Sequence, residues 1–258
     1  MSLWRPARPA PGRARPWSVL AVLFCVLGSG AGAFEADHLA RLNDSGSCRD
    51  CDLREALLAG RDLTRADLAG ADLSMANLRG ARLKGAGLAV SNLLQADLGG
   101  ADLTTADLLD ANLAKANLTD ATLVRARLTR AHLGGARLEG ADLTGASLGN
   151  ASLAGARMAG ARLEMTELAQ SDLSGADLSG ANLVGAQLIV ANLSGSDLTN
   201  TLLRAFMPRA DLSGARLSGA DLSDAFLAGA SGLTQAQLDQ ACGNARTVLP
   251  QGLTIKAC

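Results

Sequence analysis

The sequence predicts a solenoid, a chain that winds into stacked turns of equal length. Three observations support this prediction. Leucine recurs at every fifth position from residue 53 to residue 203, with Met158 as the single exception. The residue two places before each leucine is almost always small, usually alanine. No aromatic residue lies between Phe34 and Phe206, although aromatic rings are the usual bulky fillers of a globular core.

A period of five residues fits neither regular secondary structure. On an α-helix, five residues turn the chain by about 500°, so successive leucines would spread around the helix. On a flat strand the side-chain period is two, so an odd repeat places alternate leucines on opposite faces. The chain must therefore change direction within every five residues. Glycine, serine, threonine and asparagine crowd the two positions after leucine, as corners require.

Residues 1–33 are predicted to be a secretory signal peptide. Four arginines and no acidic residue precede an apolar run over residues 19–28, and small residues follow it up to Ala33. This order is typical of a cleaved export signal, so we expect cleavage after Ala33. The apolar run is shorter than the roughly 20 residues of a spanning helix, and retention as an anchor is the alternative. Export would place the mature chain in the periplasm or outside the cell, where disulfides form.

The charge balance excludes one class of partner. The whole chain has 24 basic and 25 acidic residues and a formal net charge of −1, and loss of the signal peptide removes four arginines. A strongly basic surface for nucleic acid is therefore not expected. The sequence contains no glycine-rich phosphate loop, zinc-protease motif or serine-hydrolase elbow. We expect no nucleic-acid partner, no cofactor, no metal and, after cleavage, no membrane association.

Residues 34–50 are predicted to be an N-terminal cap. A solenoid leaves unpaired strand edges at its ends, and these edges need covers. Leu39 and Leu42 give this segment a short apolar side, and the segment leads into Cys48 and Cys51. Cys51 itself occupies the small inward position of the first repeat. We therefore expect a short amphipathic element that covers the first turn of the solenoid.

The repeat region covers residues 51–230 and has a recognisable consensus. Blocks such as residues 71–75 and 176–180 read alanine, aspartate, leucine and two variable residues. In this tandem pattern the chain resembles the pentapeptide-repeat family. The resemblance implies an all-β fold, a right-handed quadrilateral parallel β-helix with one pentapeptide on each side and therefore four pentapeptides in each coil. Leucine and the small residue would point inward, and the other three residues outward.

The repeat changes register once, near residues 199–208. Counting through this slip gives 36 centres, which at four per coil predict about nine coils and, at the strand spacing of a sheet, a length of about 40 Å. Leu202 is the first centre expected after the slip. Phe206 then takes an outward position, and Pro208 supplies no amide hydrogen to the ladder. We expect a bulge, bend or short loop there, either as a tolerated deletion or as a partner-binding feature.

Residues 231–258 are predicted to be a C-terminal cap. Thr234 can act as the N-cap of a short helix over residues 235–242, which Gly243 would end. Apolar residues follow up to the terminal Cys258 and would cover the last coil. Short helical caps are therefore expected at both ends of the solenoid.

The resemblance also implies how the cysteines pair. Secreted members of the family have a C-x-x-C segment before the first coil and a cysteine in a terminal helix. We therefore expect Cys48 bonded to Cys51 and Cys242 bonded to Cys258. The two pairs would lie at opposite ends of the solenoid, which argues against cross-pairing. Two structural disulfides are consistent with export, because disulfides form and persist in oxidising compartments.

A chemical role for the C-x-x-C segment stays an alternative. A haem-attachment motif needs histidine directly after the second cysteine, and Asp52 stands there. A zinc site needs two further ligands nearby, and His38 is the one candidate. A thioredoxin-like centre needs a βαβ setting that the repeats do not supply. A structural disulfide is therefore the favoured interpretation over a redox or metal site.

Outward side chains four repeats apart should form columns, if the family geometry holds. One column would place Asn112, His132 and Ser152 in a row, similar to a serine–histidine–asparagine arrangement. A flat face offers no pocket that excludes water, so we expect no catalytic residue. The arginine-rich middle is either a docking patch for an anionic partner or a charged face that keeps the sheet soluble. The candidate patch consists of Arg125, Arg127, Arg130, Arg137 and Arg157.

The leading hypothesis is a non-enzymatic, exported scaffold that presents flat faces to a protein partner of the cell envelope. The alternative comes from the family resemblance, because cytosolic members resemble DNA in shape and charge and protect DNA gyrase from inhibitors. The signal peptide, the modest net charge and a C-terminus without an aromatic-rich dimer surface argue against this alternative. An enzyme ranks third. Neither the identity of the partner nor the oligomeric state follows from the sequence.

Overall fold

The computed structural model describes residues 36–258, so the predicted signal peptide and its cleavage site after Ala33 lie outside the described residues. Helix α1 covers Ala36–Ser45 and helix α2 covers Gln235–Leu238. Between the two helices the backbone forms single-residue parallel bridges, one at the position just before each inward leucine. Within residues 36–258, no helix has the length and apolarity needed to cross a bilayer.

The bridges join residues one coil apart. Asp72 pairs with Asp52 below it and with Asn92 above it, and the same separation of four pentapeptides holds up to the pair Asn182 and Leu202. Each coil therefore contributes to four separate columns of bridges. This pattern is a parallel β-helix, and it explains why no single strand exceeds one bridge: the chain turns a corner before a second residue can pair.

Three backbone hydrogen bonds between coils recur in each repeat. The N–H of an inward leucine donates to the carbonyl of the coil above, as Leu73 does to Asn92 at 2.7 Å. The N–H of the residue before it donates to the coil below, as Asp72 does to Cys51 at 2.8 Å. The second corner residue donates upward again, as Met75 does to Leu94 at 2.9 Å. Few ladder groups of the interior coils are left without a partner, as buried backbone requires.

The inward positions form one continuous core. Each centre from Leu53 to Leu227 is at most 5% exposed, and almost all are fully buried. Where serine or threonine replaces the inward alanine, its hydroxyl donates to the carbonyl three residues earlier, as Ser91 does to Leu88 at 2.7 Å. The same bond satisfies the other buried hydroxyls of this type. These are Thr166, Ser171, Ser196 and Thr201.

The register slip lies at residues 201–204, which form a repeat that is one residue shorter than the others. The buried centre is Leu203, which is 0% exposed, whereas Leu202 is 41% exposed and points outward. The expectation that Leu202 is the centre is therefore wrong, because the chain loses a corner residue after Leu203 rather than before it. From Gln187 and Phe206 onward the bridged residues are one position closer in sequence, until the full spacing returns at Phe206 and Phe226.

Pro208 supplies no amide hydrogen to the ladder, as expected, but its position in the repeat means that no ladder bond is lost. In the described repeats, the residue after a centre donates no backbone hydrogen bond to a neighbouring coil. Where the outward residue two places earlier is aspartate or asparagine, the N–H bonds that side chain instead, as Ser74 does to Asp72 Oδ1 at 3.0 Å. Phe206 holds that outward position before Pro208 and has no side-chain acceptor. Phe206 therefore offers no acceptor at the place where Pro208 offers no N–H donor, and no donor is left unpaired. The carbonyl of Pro208 still accepts the N–H of Val190 at 3.1 Å.

Helix α1 and the residue that follows it supply acceptors to the first coil. The ring Nδ1 of His38 accepts the N–H of Asp52 at 3.0 Å, and the carbonyl of Gly46 accepts the N–H of Asp67 at 3.0 Å. Leu42 packs into the core and is 3% exposed. The N-terminal cap therefore replaces part of the coil that would otherwise lie below the first one.

Helix α2 begins where the sequence predicts and ends earlier. Thr234 is its N-cap and forms a capping box with Gln237, whose side chain accepts the N–H of Thr234 at 2.8 Å. The helix expected over residues 235–242 stops at Leu238. The reason is that Cys242 enters the ladder, donating to Ala220 at 3.0 Å and accepting from Leu222 at 2.7 Å.

Candidate functional site

The outward residues before each centre form columns that run from coil to coil. In one column the side-chain amide of Asn92 donates to Asp72 Oδ1 at 3.0 Å, and the amide of Asn112 donates to Asn92 Oδ1 at 3.0 Å. The column continues through His132 and Ser152. The structure thus places Asn112, His132 and Ser152 in one row. The amide of Asn112 is bonded to Asn92, and the row lines neither of the two grooves described below.

Outward aspartates and asparagines also organise the corners. The Oδ1 of Asp211 accepts the N–H of Ser213 at 2.9 Å and its hydroxyl at 2.6 Å. The hydroxyl bond, followed by the amide bond, lowers the pKa of Asp211 below its ordinary value. In the same way the hydroxyl of Thr104 lowers the pKa of Asp102. These carboxylates stay charged at neutral pH and fix the turn that follows each of them.

The five arginines of the candidate docking patch are not brought together on one face. Arg127 belongs to the bridge column of Asp107 and Ser147, while Arg137 and Arg157 belong to a column half a coil away. Arg125 and Arg130 stand at corners with left-handed backbone, at φ 54° and 59°. The cluster is therefore close in sequence and divided around the solenoid.

Most of these arginines are paired with acidic residues one coil away. Arg127 Nη1 lies 3.1 Å from Asp107, Arg130 Nη2 lies 2.5 Å from Asp110, and Arg157 Nε lies 2.9 Å from Glu139. The bond from Arg130 lowers the pKa of the Asp110 carboxyl. Arg137 shares Glu139 at 3.7 Å. The positive charges of these arginines are therefore balanced by carboxylates within about one coil, and they do not form one extended positive surface.

Two grooves open to solvent lie on the described surface. One, of about 330 Å³, lies beside the end of α1 and is bordered by Arg61 and Arg65. The other, of about 550 Å³, follows a corner of the middle coils and is bordered by Arg125 and Met165. Among the described residues, Arg125 has no acidic group within 4.0 Å, which sets it apart from the other four arginines of the patch.

An apolar column near the C-terminal end is absent from the sequence-based expectations. The rings of Phe206 and Phe226 stack with centroids 5.0 Å apart, and Val248 follows in the same column. Phe206 is 37% and Val248 41% exposed. The spacing of the two phenylalanines, one full coil, indicates in the sequence that they share a column. Val248 follows at a longer interval, which the repeat alone does not predict.

The cysteines lie in two close pairs at the two caps. The Sγ atoms of Cys48 and Cys51 are 2.03 Å apart, and those of Cys242 and Cys258 are 2.10 Å apart, both disulfide distances. Cys48 takes the position of an inward leucine and Cys51 that of an inward alanine, so both are at most 1% exposed. The C-terminal pair is more accessible, because Cys242 is half-buried and Cys258 exposed.

Asp221 lies beside the C-terminal pair. Its Oδ1 is 3.3 Å from Cys258 Sγ and accepts the N–H of Ser223 at 2.8 Å, while Arg204 donates to its Oδ2. Burial raises the pKa of the Asp221 carboxyl, but the hydrogen bonds from Ser223 and Arg204 outweigh burial and leave the pKa below its ordinary value. The carboxylate is therefore charged and held in one orientation.

Comparison with known proteins identifies similar chains. The family model described as pentapeptide repeats matches eight copies in this chain. Similar solved structures include HetL, a pentapeptide repeat protein involved in heterocyst differentiation regulation from the cyanobacterium Nostoc sp. strain PCC 7120. It is 33% identical over 81% of this chain and 97% of HetL, with a TM-score of 0.47. The matched residues are 47–85, 91–130, 131–164, 166–204 and 209–242.

Two further structures have lower scores. Full-length QnrB1, a plasmid-mediated fluoroquinolone resistance protein, is 20% identical over 72% of this chain and 92% of its own, with a TM-score of 0.46. A pentapeptide repeat protein of the Arabidopsis thaliana thylakoid lumen is 31% identical over 44% of this chain and 66% of its own, with a TM-score of 0.20. The comparison with curated proteins gave no match. The family model covers well over half of the residues, so the chain belongs to the pentapeptide-repeat family.

Proposed function

We propose that this protein is a non-enzymatic, exported scaffold that binds a protein partner through one of its outward faces. The observation that carries the proposal is the regular ladder, which holds outward side chains in four columns at fixed spacing. Such a rigid surface presents many groups at fixed spacing and loses little conformational entropy on binding. Both properties favour recognition of an extended partner. In detail we propose a right-handed quadrilateral β-helix of about nine coils.

The distribution of charge favours this scaffold over the DNA-mimicking alternative. A mimic of DNA needs rows of free anions, because the duplex carries one charge per about 1.7 Å of axis. Here many of the outward carboxylates are paired with arginine, as Asp62 is with Arg82 and Asp142 with Arg162. The paired columns are a poor imitation of a phosphate backbone.

Export is the part of the proposal that explains the cysteines. Two disulfide-distance pairs at the caps suit a protein that matures in an oxidising compartment. The predicted signal peptide over residues 1–33 gives the route. Fractionation of expressing cells tests this part: we expect the protein outside the cytosol, with a mature N-terminus at Phe34. Cytosolic protein with an intact Met1 would contradict it and would favour the gyrase-binding alternative.

Site-directed photo-cross-linking tests the scaffold role. One coil offers four matched outward positions, one in each column, at which a photo-reactive side chain can be placed. These positions are Thr122, Arg127, His132 and Arg137. In intact cells we expect one or two adjacent positions to capture a defined protein, while the position half a coil away captures little. Equal capture at all four positions, or none at any, would contradict a specific docking face.

A further inference from the structure

We propose that Asp221, Cys242 and Cys258 form a binding site for zinc when the C-terminal disulfide is reduced. The carboxylate oxygen and the two sulfur atoms all lie within 4.8 Å of one another. Tetrahedral zinc commonly takes two or more thiolates together with nitrogen or oxygen ligands. Three protein ligands and one water molecule would complete the coordination sphere.

The backbone already holds the three ligands close together. Asp221 and Cys242 are bridged neighbours in the parallel ladder, so their side chains leave the same face one coil apart. The N–H of Cys258 donates to the carbonyl of Gly243, next to Cys242, at 3.0 Å. These bonds do not depend on the disulfide. The ligands therefore stay near one another after the sulfur–sulfur bond opens.

The orientation of Asp221 is also fixed from outside the site. Arg204 Nε donates to Asp221 Oδ2 at 3.0 Å, and the N–H of Ser223 donates to Oδ1 at 2.8 Å. Oδ1 keeps a second lone pair and lies 3.3 Å from Cys258 Sγ. Supporting hydrogen bonds of this kind orient metal-binding carboxylates in proteins, and their loss commonly weakens binding tenfold or more.

Opening the site needs a thiol reductant. A dithiol gives two electrons to the Cys242–Cys258 bond and is itself oxidised to a disulfide, while its two protons pass to the cysteine sulfurs. Zinc binding then releases protons from both thiols to solvent. The exposed C-terminal pair is open to this attack, whereas Cys48 and Cys51 are at most 1% exposed. The chain end at Cys258 is therefore joined to Cys242, the bridged neighbour of Asp221, either by the disulfide or by the metal.

Cobalt and zinc titrations of the full chain test the proposal. To leave one cysteine pair, the titrations use Cys25→Ala/Cys48→Val/Cys51→Ala. The first change removes the fifth cysteine of the full chain, and the other two introduce residues suited to an inward centre and an inward small position. After reduction we expect one equivalent of Co²⁺ to bind with a thiolate charge-transfer absorption that Zn²⁺ abolishes. The oxidised protein should show no such band. Failure of the reduced protein to bind either ion would overturn the proposal.

Variants of the ligands separate this site from ordinary thiol binding. We expect Asp221→Asn to weaken zinc binding by tenfold or more, and Cys258→Ser to abolish the charge-transfer band. Asp211→Asn removes an outward carboxylate of another column and should leave zinc binding unchanged. Equal affinity in Asp221→Asn and Asp211→Asn would exclude Asp221 as a ligand and overturn the site as proposed.

Alkylation of the reduced wild-type chain gives a readout that needs no variant to fold. Zinc should protect Cys242 and Cys258 from iodoacetamide, as peptide mapping by mass spectrometry would show. Cys48 and Cys51 are the internal control: because both are buried, we expect little labelling of them, and the same amount with and without zinc. Labelling of the C-terminal pair that is the same with and without zinc would contradict the proposal.

Discussion

At the scale of single residues, the second corner position imposes a conformational cost on the backbone. Its backbone is left-handed in coil after coil, and residues with a Cβ occupy it as well as glycine. Val90 is an unfavourable case, with φ at 60° and a β-branched side chain that is 66% exposed. Nothing in the core compensates for it, because the side chain points to solvent. A substitution at Val90 can therefore relieve the backbone strain without disturbing the core.

We expect Val90→Asn to stabilise the protein by about 1 kcal/mol, because asparagine tolerates the left-handed region that valine avoids. For a domain of this size the gain corresponds to a rise in Tm of about 2–4 °C. Val184→Asn is the matched control, since Val184 is also exposed but has no positive φ. A Tm that rises equally in both variants would mean that surface polarity, and not backbone strain, is responsible.

At the scale of the pentapeptide, the five-residue period predicts which side of the backbone each residue occupies. It places Leu58 inward and Leu57 outward, and the structure agrees, with Leu58 fully buried and Leu57 74% exposed. The period predicts less where two solutions satisfy it. Leu202 and Leu203 both fit an inward position at the slip. The structure decides between them, because Leu202 bridges Asn182 and is 41% exposed, whereas Leu203 is buried.

The two neighbouring leucines give a direct test of this alternation. Leu58→Ala removes packed methyl groups from the core and should cost about 2–5 kcal/mol of unfolding free energy. Leu57→Ala removes the same atoms from an exposed side chain and should change stability by less than about 0.5 kcal/mol. Denaturant midpoints of the two variants, measured side by side, check the difference. Similar midpoints would show that the first coil is not ordered as described.

The corner hydroxyls make a second element-scale prediction, which depends on pH. Because the Ser213 hydroxyl lowers the pKa of Asp211 in the folded state, this bond stabilises the protein above the unfolded pKa of about 3.9. The stabilisation is lost as the pH falls through the folded pKa. Ser213→Ala should therefore lower Tm at pH 7 and have a smaller effect near pH 3.

Ser174→Ala is the control for that experiment. Within the described residues, Ser174 makes one bond to Asp172, from its backbone N–H at 3.1 Å, and alanine keeps that bond. We expect its effect on Tm to be small and the same at both pH values. A Ser213→Ala effect that grows as the pH falls would reverse the sign that follows from the lowered pKa.

At the scale of the whole molecule, the sequence predicts the middle better than the ends. The core follows from a five-residue pattern that is repeated more than thirty times, so a single exception such as Met158 does not obscure it. The caps are single events. The helix expected over residues 235–242 ends at Leu238 because Cys242 pairs with Asp221, a contact between distant residues that helix propensity cannot predict. The same applies to the arginines, which share a sequence segment but lie around the solenoid.

The absence of aromatic rings from the repeats yields a whole-molecule prediction about processing. The chain has two tryptophans and no tyrosine, and both tryptophans, Trp4 and Trp17, precede the expected cleavage site after Ala33. Cleavage would therefore leave a mature protein whose only aromatic residues are phenylalanines. We expect protein purified from expressing cells to lack tryptophan fluorescence, while the full chain made without export retains it. Tryptophan emission from the exported protein would mean that residues 1–33 are not cleaved and remain attached to the solenoid as an anchor.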